Sequence, residues 1–188
     1  MHAAGFVLVG GRSSRMGQNK ARLRVDSRLL VEVVARAVAS AAGSVTLVGN
    51  PASFADLPFE CLPDLRPGLG PLAGLEAALA AGRSELNLVV GCDMPDIQSA
   101  DLARLFAAAA ATGALCTLAT DLQGRKHPLC AVFHSDSLRF VRAALDAGRL
   151  RLLDLVEELK AVEVRIDSAL TNLNTPEQWA AWQAAQPV

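Results

Sequence analysis

The sequence predicts a single α/β domain, residues 1–188, built on a mostly parallel, doubly wound, Rossmann-like sheet. Three observations carry the prediction. Short apolar runs stopped by glycine or proline alternate along the chain with stretches whose apolar residues recur every three or four positions. The first run is apolar throughout and ends in a glycine pair, as expected of a strand buried on both faces that enters a tight loop. The length of 188 residues suits one generous domain.

Each element follows in order. Gly5-Phe6-Val7-Leu8-Val9 is the first strand, and Gly10-Gly11 turns it. Leu29, Leu30, Val33, Val34, Ala37, Val38 and Ala41 mark a helix that Gly43 closes. Residues 45–48 form a second strand, stopped by Gly49-Asn50-Pro51, and a proline-rich loop over 64–71 leads into a helix over 72–81. The third strand spans 86–91 and breaks at Cys92-Asp93-Met94-Pro95. Ser99 is expected to cap a helix reaching Thr112. Strands over 115–119 and 129–133 precede helices over 135–147 and 151–159, and a strand over 162–166 follows. In Thr175-Pro176-Glu177-Gln178 threonine caps the last helix, proline takes its first position and glutamine closes a capping box.

Composition excludes several classes. Hydrophobic residues make up 52% of the chain and charged residues 20%, too rich in core formers for a disordered chain. Eighteen basic groups against 19 acidic ones leave a net charge of -1, without the basic surplus of a nucleic-acid binder. No apolar run is long enough for a membrane helix. Residues 1–11 lack the basic and apolar regions of an export signal, so a cytoplasmic location is expected. Cys61, Cys92, Cys116 and Cys130 form no CxxC pair and mostly have apolar neighbours, the pattern of reduced, buried thiols.

Ligands of an open α/β sheet bind outside the carboxyl ends of its strands. That rule selects three loops. The first, residues 10–20, combines three glycines with Arg12, Arg15 and Lys20, which makes an anion site. It fits neither the P-loop nor the GxGxxG pattern, and its bland alternative is a surface loop with solvated arginines. The second, residues 64–74, sets Asp64 before two stiffening prolines and glycines that let a ligand approach. The third places Asp93 directly after a buried strand, where a carboxylate can hold Mg2+ while substrate phosphates complete the shell, or simply cap a turn. Asp96 reads as a loop residue, His127 as structural, and Trp179 and Trp182 as packing on the last helix. Asn172 and Asn174 bring two amides to a helix N-terminus, a site for an anion or plain capping.

Together these segments resemble a known family. L-V-G-G-R-S-S-R-M-G-Q-N-K is similar to the signature of small nucleotidyltransferases with a glycosyltransferase-A-like fold. D-L-R-P-G-L-G-P-L-A-G, C-D-M-P, H-P-L and N-L-N-T-P-E resemble the molybdenum cofactor guanylyltransferases, in matching order from Gly5 to Trp182. The resemblance implies GTP and molybdopterin as substrates, Mg2+ as cofactor, and transfer of GMP to the terminal phosphate of molybdopterin with release of pyrophosphate. It also suggests molybdoenzymes or their chaperones as protein partners. The family's nucleotide-binding residues fall on Leu8, Val9, Gly10, Gly11 and Lys20, with Arg15, Lys20 and Asp93 as catalytic groups. Asp64 matches a GTP-contacting aspartate, Asp93 the metal aspartate, and Asn172 and Asn174 the region facing the pterin. Gly49 and Asn50 compete for a nucleotide-contacting asparagine. Two departures stand out: Val9 replaces an alanine and is expected to narrow the base pocket, and Asn19 replaces an aspartate. A cytidylyltransferase on the same pterin, another small-metabolite nucleotidyltransferase and a catalytically silent nucleotide-binding module are the competing readings.

Overall fold

The computed structural model describes residues 3–10, 19–167 and 170–185. Among them, seven strands share one sheet: β1 (Ala3–Leu8), β4 (Thr46–Val48), β5 (Cys61–Leu62), β6 (Leu86–Gly91), β7 (Cys116–Thr120), β8 (Lys126–His134) and β9 (Val162–Arg165), in the order β5-β4-β1-β6-β8-β7-β9. A two-stranded hairpin, β2 (Arg24–Val25) and β3 (Arg28–Leu29), stands apart. β1 pairs in parallel with β4 and β6, and β4 with β5. β8 runs antiparallel between β6 and β7, and β9 pairs in parallel with β7. The sheet is therefore mostly parallel, as the apolar runs predicted.

Alternation along the strands fills two cores. Val7, Leu88, Val90, Cys130 and Val132 face α1 (Leu30–Ala42) and α3 (Ser99–Thr112). Phe6, Leu8, Val89, Leu118, Ala131 and Phe133 face α2 (Pro71–Ala80), α4 (Leu138–Asp146) and α5 (Leu152–Glu158). Gly5 lets α1 lie flat on β1, since a Cβ there would stand 2.4 Å from a Val38 methyl. α1 ends at Gly43 in the left-handed conformation, φ 76°, as predicted. Ser99, expected as a cap, is instead the first residue of α3; Gln98 holds the cap position and makes no side-chain cap bond. α6 (Pro176–Ala184) carries the predicted capping box, with Thr175 accepting from the Gln178 N–H.

Pro128 lies inside β8 and has no N–H for a ladder. The register with β7 accordingly jumps from Leu118↔Ala131 to Ala119↔His127. All four cysteines are free, and burial pushes the thiols of Cys92 and Cys130 up to about 12. Among the described residues, no helix is long and apolar enough to cross a membrane.

Candidate functional site

β1, β4 and β6 present their carboxyl ends at one edge, and the backbone ladder continues past them. The Val9 N–H donates to the Val48 carbonyl at 2.9 Å and the Cys92 N–H to the Leu8 carbonyl at 3.2 Å. These bonds fix the departure points of Gly10 and Asp93. Lys20 opens a short turn, Lys20–Arg22, whose first free N–H, at Ala21, is taken by the Asn19 side-chain oxygen at 3.1 Å. Asparagine thus supplies the capping oxygen that an aspartate would, and charge is not needed for that task.

The turn aims Lys20 at the end of β6. Its Nζ lies 3.2 Å from Asp93 Oδ2 and 3.0 Å from Asn174 Oδ1, with side-chain exposures of 16% for Lys20 and 15% for Asp93. Asn174 arrives on a strap from the far side of the sheet. Ile166 leaves beside β7, its N–H on the Thr120 carbonyl, and the Leu173 N–H lands on the Asp93 carbonyl at 3.1 Å. Gln178 then holds the Asn174 N–H at 2.7 Å. Asn172 Oδ1 is buried here with no hydrogen-bond partner among the described residues, an acceptor whose desolvation is uncompensated.

Beside this cluster opens a cleft of about 580 Å³. Leu8, Gly10 and Val48 form its floor, Asp64 one wall, and the loop from Pro67 to Pro71 its rim. Gly68 and Gly70 adopt φ of 89° and 72°, a left-handed backbone that a side chain would strain. Gly10 faces Asp64, and a Cβ on it would come 3.4 Å from Asp64 Oδ2. Burial raises the Asp64 carboxyl above its ordinary value.

The sequence expectations meet this geometry unevenly. Lys20, Asp93 and Asn174 converge, Asn172 lies one residue before the Leu173–Asp93 bond, and Leu8, Gly10 and Asp64 line the cleft. Gly11, Arg12 and Arg15 lie outside the described residues. The expectation that Val9 narrows the base pocket is corrected. Strand alternation sends Leu8 to the cleft side and Val9 into the opposite core, where it is 7% exposed. A Cβ on Gly49 would meet the Val9 methyl at 2.9 Å, so Gly49 is the close neighbour of this bend. Asn50 is exposed and spends its side-chain oxygen on the Ala52 N–H, capping its own turn.

Two features escaped the sequence reading. A Cβ on Gly91 would stand 2.7 Å from Asp93 Oδ1, so the glycine makes room for the carboxylate. A glycine ending a buried strand two residues before an aspartate was the available signal. Trp182 donates its indole N–H to both Asp96 oxygens, at 3.0 and 2.9 Å, and anchors α6 to the loop after β6; no spacing rule links positions so far apart. His127 is buried, with Nε2 3.1 Å from Asp121 Oδ2, and serves the turn between β7 and β8.

The described residues contain no cluster of three or more His, Cys, Asp or Glu side chains that could cage a metal. Asp93 by itself fits an ion that takes one carboxylate and completes its shell with phosphates and water, the habit of Mg2+.

The model of the MobA-like NTP transferase domain matches residues 5–162. The chain belongs to the MobA-like NTP transferase family. Among MobA-like relatives, a protein of Mycobacterium tuberculosis named "Probable molybdenum cofactor guanylyltransferase" is 36% identical over 181 residues, covering 92% of this chain and 89% of its own. One of the same name from Pelotomaculum thermopropionicum is 33% identical, covering 94% and 89%. The MobA-like fold is shared with molybdopterin-guanine dinucleotide biosynthesis protein A of Archaeoglobus fulgidus, at TM-score 0.80 and 22% identity over 96% of this chain and 97% of that one. It is shared equally with a CMP:2-keto-3-deoxy-manno-octonic acid synthetase, at TM-score 0.81 and 12% identity over 98% of each chain.

Proposed function

We propose that the protein transfers GMP from GTP to the terminal phosphate of molybdopterin, releasing pyrophosphate, with Mg2+ held by Asp93. The observation that carries the proposal is the Lys20–Asp93–Asn174 cluster beside a glycine-lined cleft. The guanylyltransferase relatives supply the choice of substrates.

The chemistry asks little of the chain in covalent terms. A phosphate monoester has its second pKa at about 6, so the attacking oxygen is already anionic near neutral pH and no general base is required. What remains is in-line positioning and neutralisation of charge on the α-phosphate and the departing pyrophosphate. The Lys20 ammonium, now shared between Asp93 and Asn174, is one side-chain rotation from entering phosphates. When Lys20 turns to them, Asp93 is left with a free carboxylate for a cation. Bound there, Mg2+ would offset the charge that builds as the pyrophosphate leaves. Exposed Asn174 offers a neutral amide to the acceptor, with Asn172 beneath it. Asp64 supports guanine. A carboxylate on the cleft wall can accept from the adjacent N1–H and 2-amino donors of guanine, which cytosine cannot present together.

The test is a nucleotide panel with molybdopterin, reading dinucleotide product by mass and pyrophosphate release. GTP should exceed CTP and ATP by at least about a hundredfold in kcat/KM, the discrimination expected when a wrong base leaves buried polar groups unpaired. Equal use of CTP refutes guanylyl transfer in favour of cytidylyl transfer. GTP binding without pyrophosphate release marks a silent binding module.

A further inference from the structure

The loop that rims the cleft is held from below by a buried carboxylate. Glu76 sits in the middle of α2 with its side chain 3% exposed. A buried charge of this kind persists only with partners, since desolvation of an unpaired carboxylate is expensive. Two arginines from different elements supply them. Arg66 Nε lies 3.1 Å from Glu76 Oε2, and Arg142 Nε, on α4, lies 3.3 Å from Glu76 Oε1. Arg66 reaches further to Asp146 at the end of α4, with Nη1 2.5 Å from Oδ1. Two cations thus face two anions and the group is balanced.

The position of Arg66 gives the network a consequence for the ligand. Arg66 is two residues after Asp64 and two before Gly68, on the loop segment that joins the Asp64 wall of the cleft to its rim. Pro67 and Pro71 restrict that loop locally, but Gly68 and Gly70 between them leave its course over α2 and α4 open. Its path needs an anchor from outside, and the described contacts of Arg66 all run down to Glu76 and Asp146. The Arg66 guanidinium is spent on those carboxylates and is not offered to the phosphates.

We propose that Glu76 and Arg66 are positioning residues for the nucleotide. The ion pair between buried Glu76 and half-buried Arg66 pins the 64–71 loop to α2, the Arg66 contact with Asp146 ties the loop to α4, and together they set the width of the cleft and the placement of Asp64. Arg142 grips the same carboxylate from α4 without belonging to the loop, and it contributes to stability only. This inference rests on the cleft being the nucleotide site.

The two arginines can be separated by experiment. Arg66→Met and Arg142→Met each remove one cation from Glu76 and keep an apolar stem; their thermal midpoints, GTP dissociation constants and steady-state KM and kcat are compared with wild type. Arg66→Met should raise Kd and KM for GTP at least tenfold with kcat within threefold, while Arg142→Met leaves both constants within twofold at a similar loss of midpoint. Glu76→Gln, which keeps the shape and loses the charge, should follow Arg66→Met. Equal effects of the two arginine variants on KM, or none from either, overturn the positioning role even if both lose stability. Wild-type protein that binds no nucleoside triphosphate would overturn the cleft reading beneath it, and is seen before any variant is made.

Discussion

Adding one methyl group at Gly91 tests how closely catalysis depends on the seat of Asp93. A Cβ there would stand 2.7 Å from Asp93 Oδ1, whereas ordinary contact begins near 3.4 Å, so the carboxylate must retreat by about 0.7 Å. The main chain cannot take up the shift. Cys92 is tied to Leu8 and the Asp93 carbonyl to Leu173. The side chain must rotate, and it carries Oδ2 away from its 3.2 Å contact with Lys20. A displacement of about 1 Å in a reacting constellation costs up to about a hundredfold, so Gly91→Ala should lower kcat/KM between tenfold and a hundredfold, about 1.4–2.7 kcal/mol. Stability should move far less. The other neighbours, Leu129 Cβ and Cδ1, are at 3.4 Å, and Gly91 has no left-handed φ to lose. Initial rates of pyrophosphate release, paired with a thermal melt, decide the matter. Wild-type kcat/KM in a folded variant would refute the reasoning. So would a midpoint drop of more than about 5 °C, since 1 kcal/mol is worth only about 2–4 °C at this size.

Lys20→Ala should weaken GTP binding and slow the chemistry together, a loss of about 2–4 kcal/mol in kcat/KM as for removal of one preorganised charge; unchanged kinetics would reduce Lys20 to a partner of Asp93. Asp64→Asn should stabilise the free protein at neutral pH. Because burial raises the folded-state pKa of Asp64, its contribution to wild-type stability is complete below the unfolded value near 3.8 and is lost as pH rises through the raised folded value. The midpoint advantage of the variant should therefore vanish in acid and grow towards pH 7, while GTP affinity falls; a constant advantage across pH would refute the sign.

Much of this was legible in the chain because each signal was local. Leu86 to Gly91 is apolar but for Asn87 and reads as a strand covered on both faces, and Thr175 to Gln178 spells its own cap. β5 was missed because a two-residue strand has no period to detect, and β2–β3 for the same reason. The site divides along the same line. Lys20, Asp64 and Asp93 were visible as charged residues in loops where an α/β sheet places its ligands. The orientation of Val9 was not, because a fully apolar strand hides which residues face which core. The Arg66–Glu76–Arg142 group was equally hidden, since its members meet only after α2 and α4 have packed together.

The strand order also fixes when the site comes into being. β1 leaves the ribosome before its partners, β4 some 40 residues later and β6 more than 80 residues later. Pairings between segments so distant in the chain are slow to form, because the intervening loop must be closed before any contact rewards it. Lys20 meets Asp93 only when β6 has docked beside β1, and Asn174 joins them only when the strap has crossed the sheet. An incompletely folded chain holds a lysine and an aspartate far apart rather than half of a site. If the cluster is the nucleotide site, nucleotide capture is confined to molecules that have finished folding.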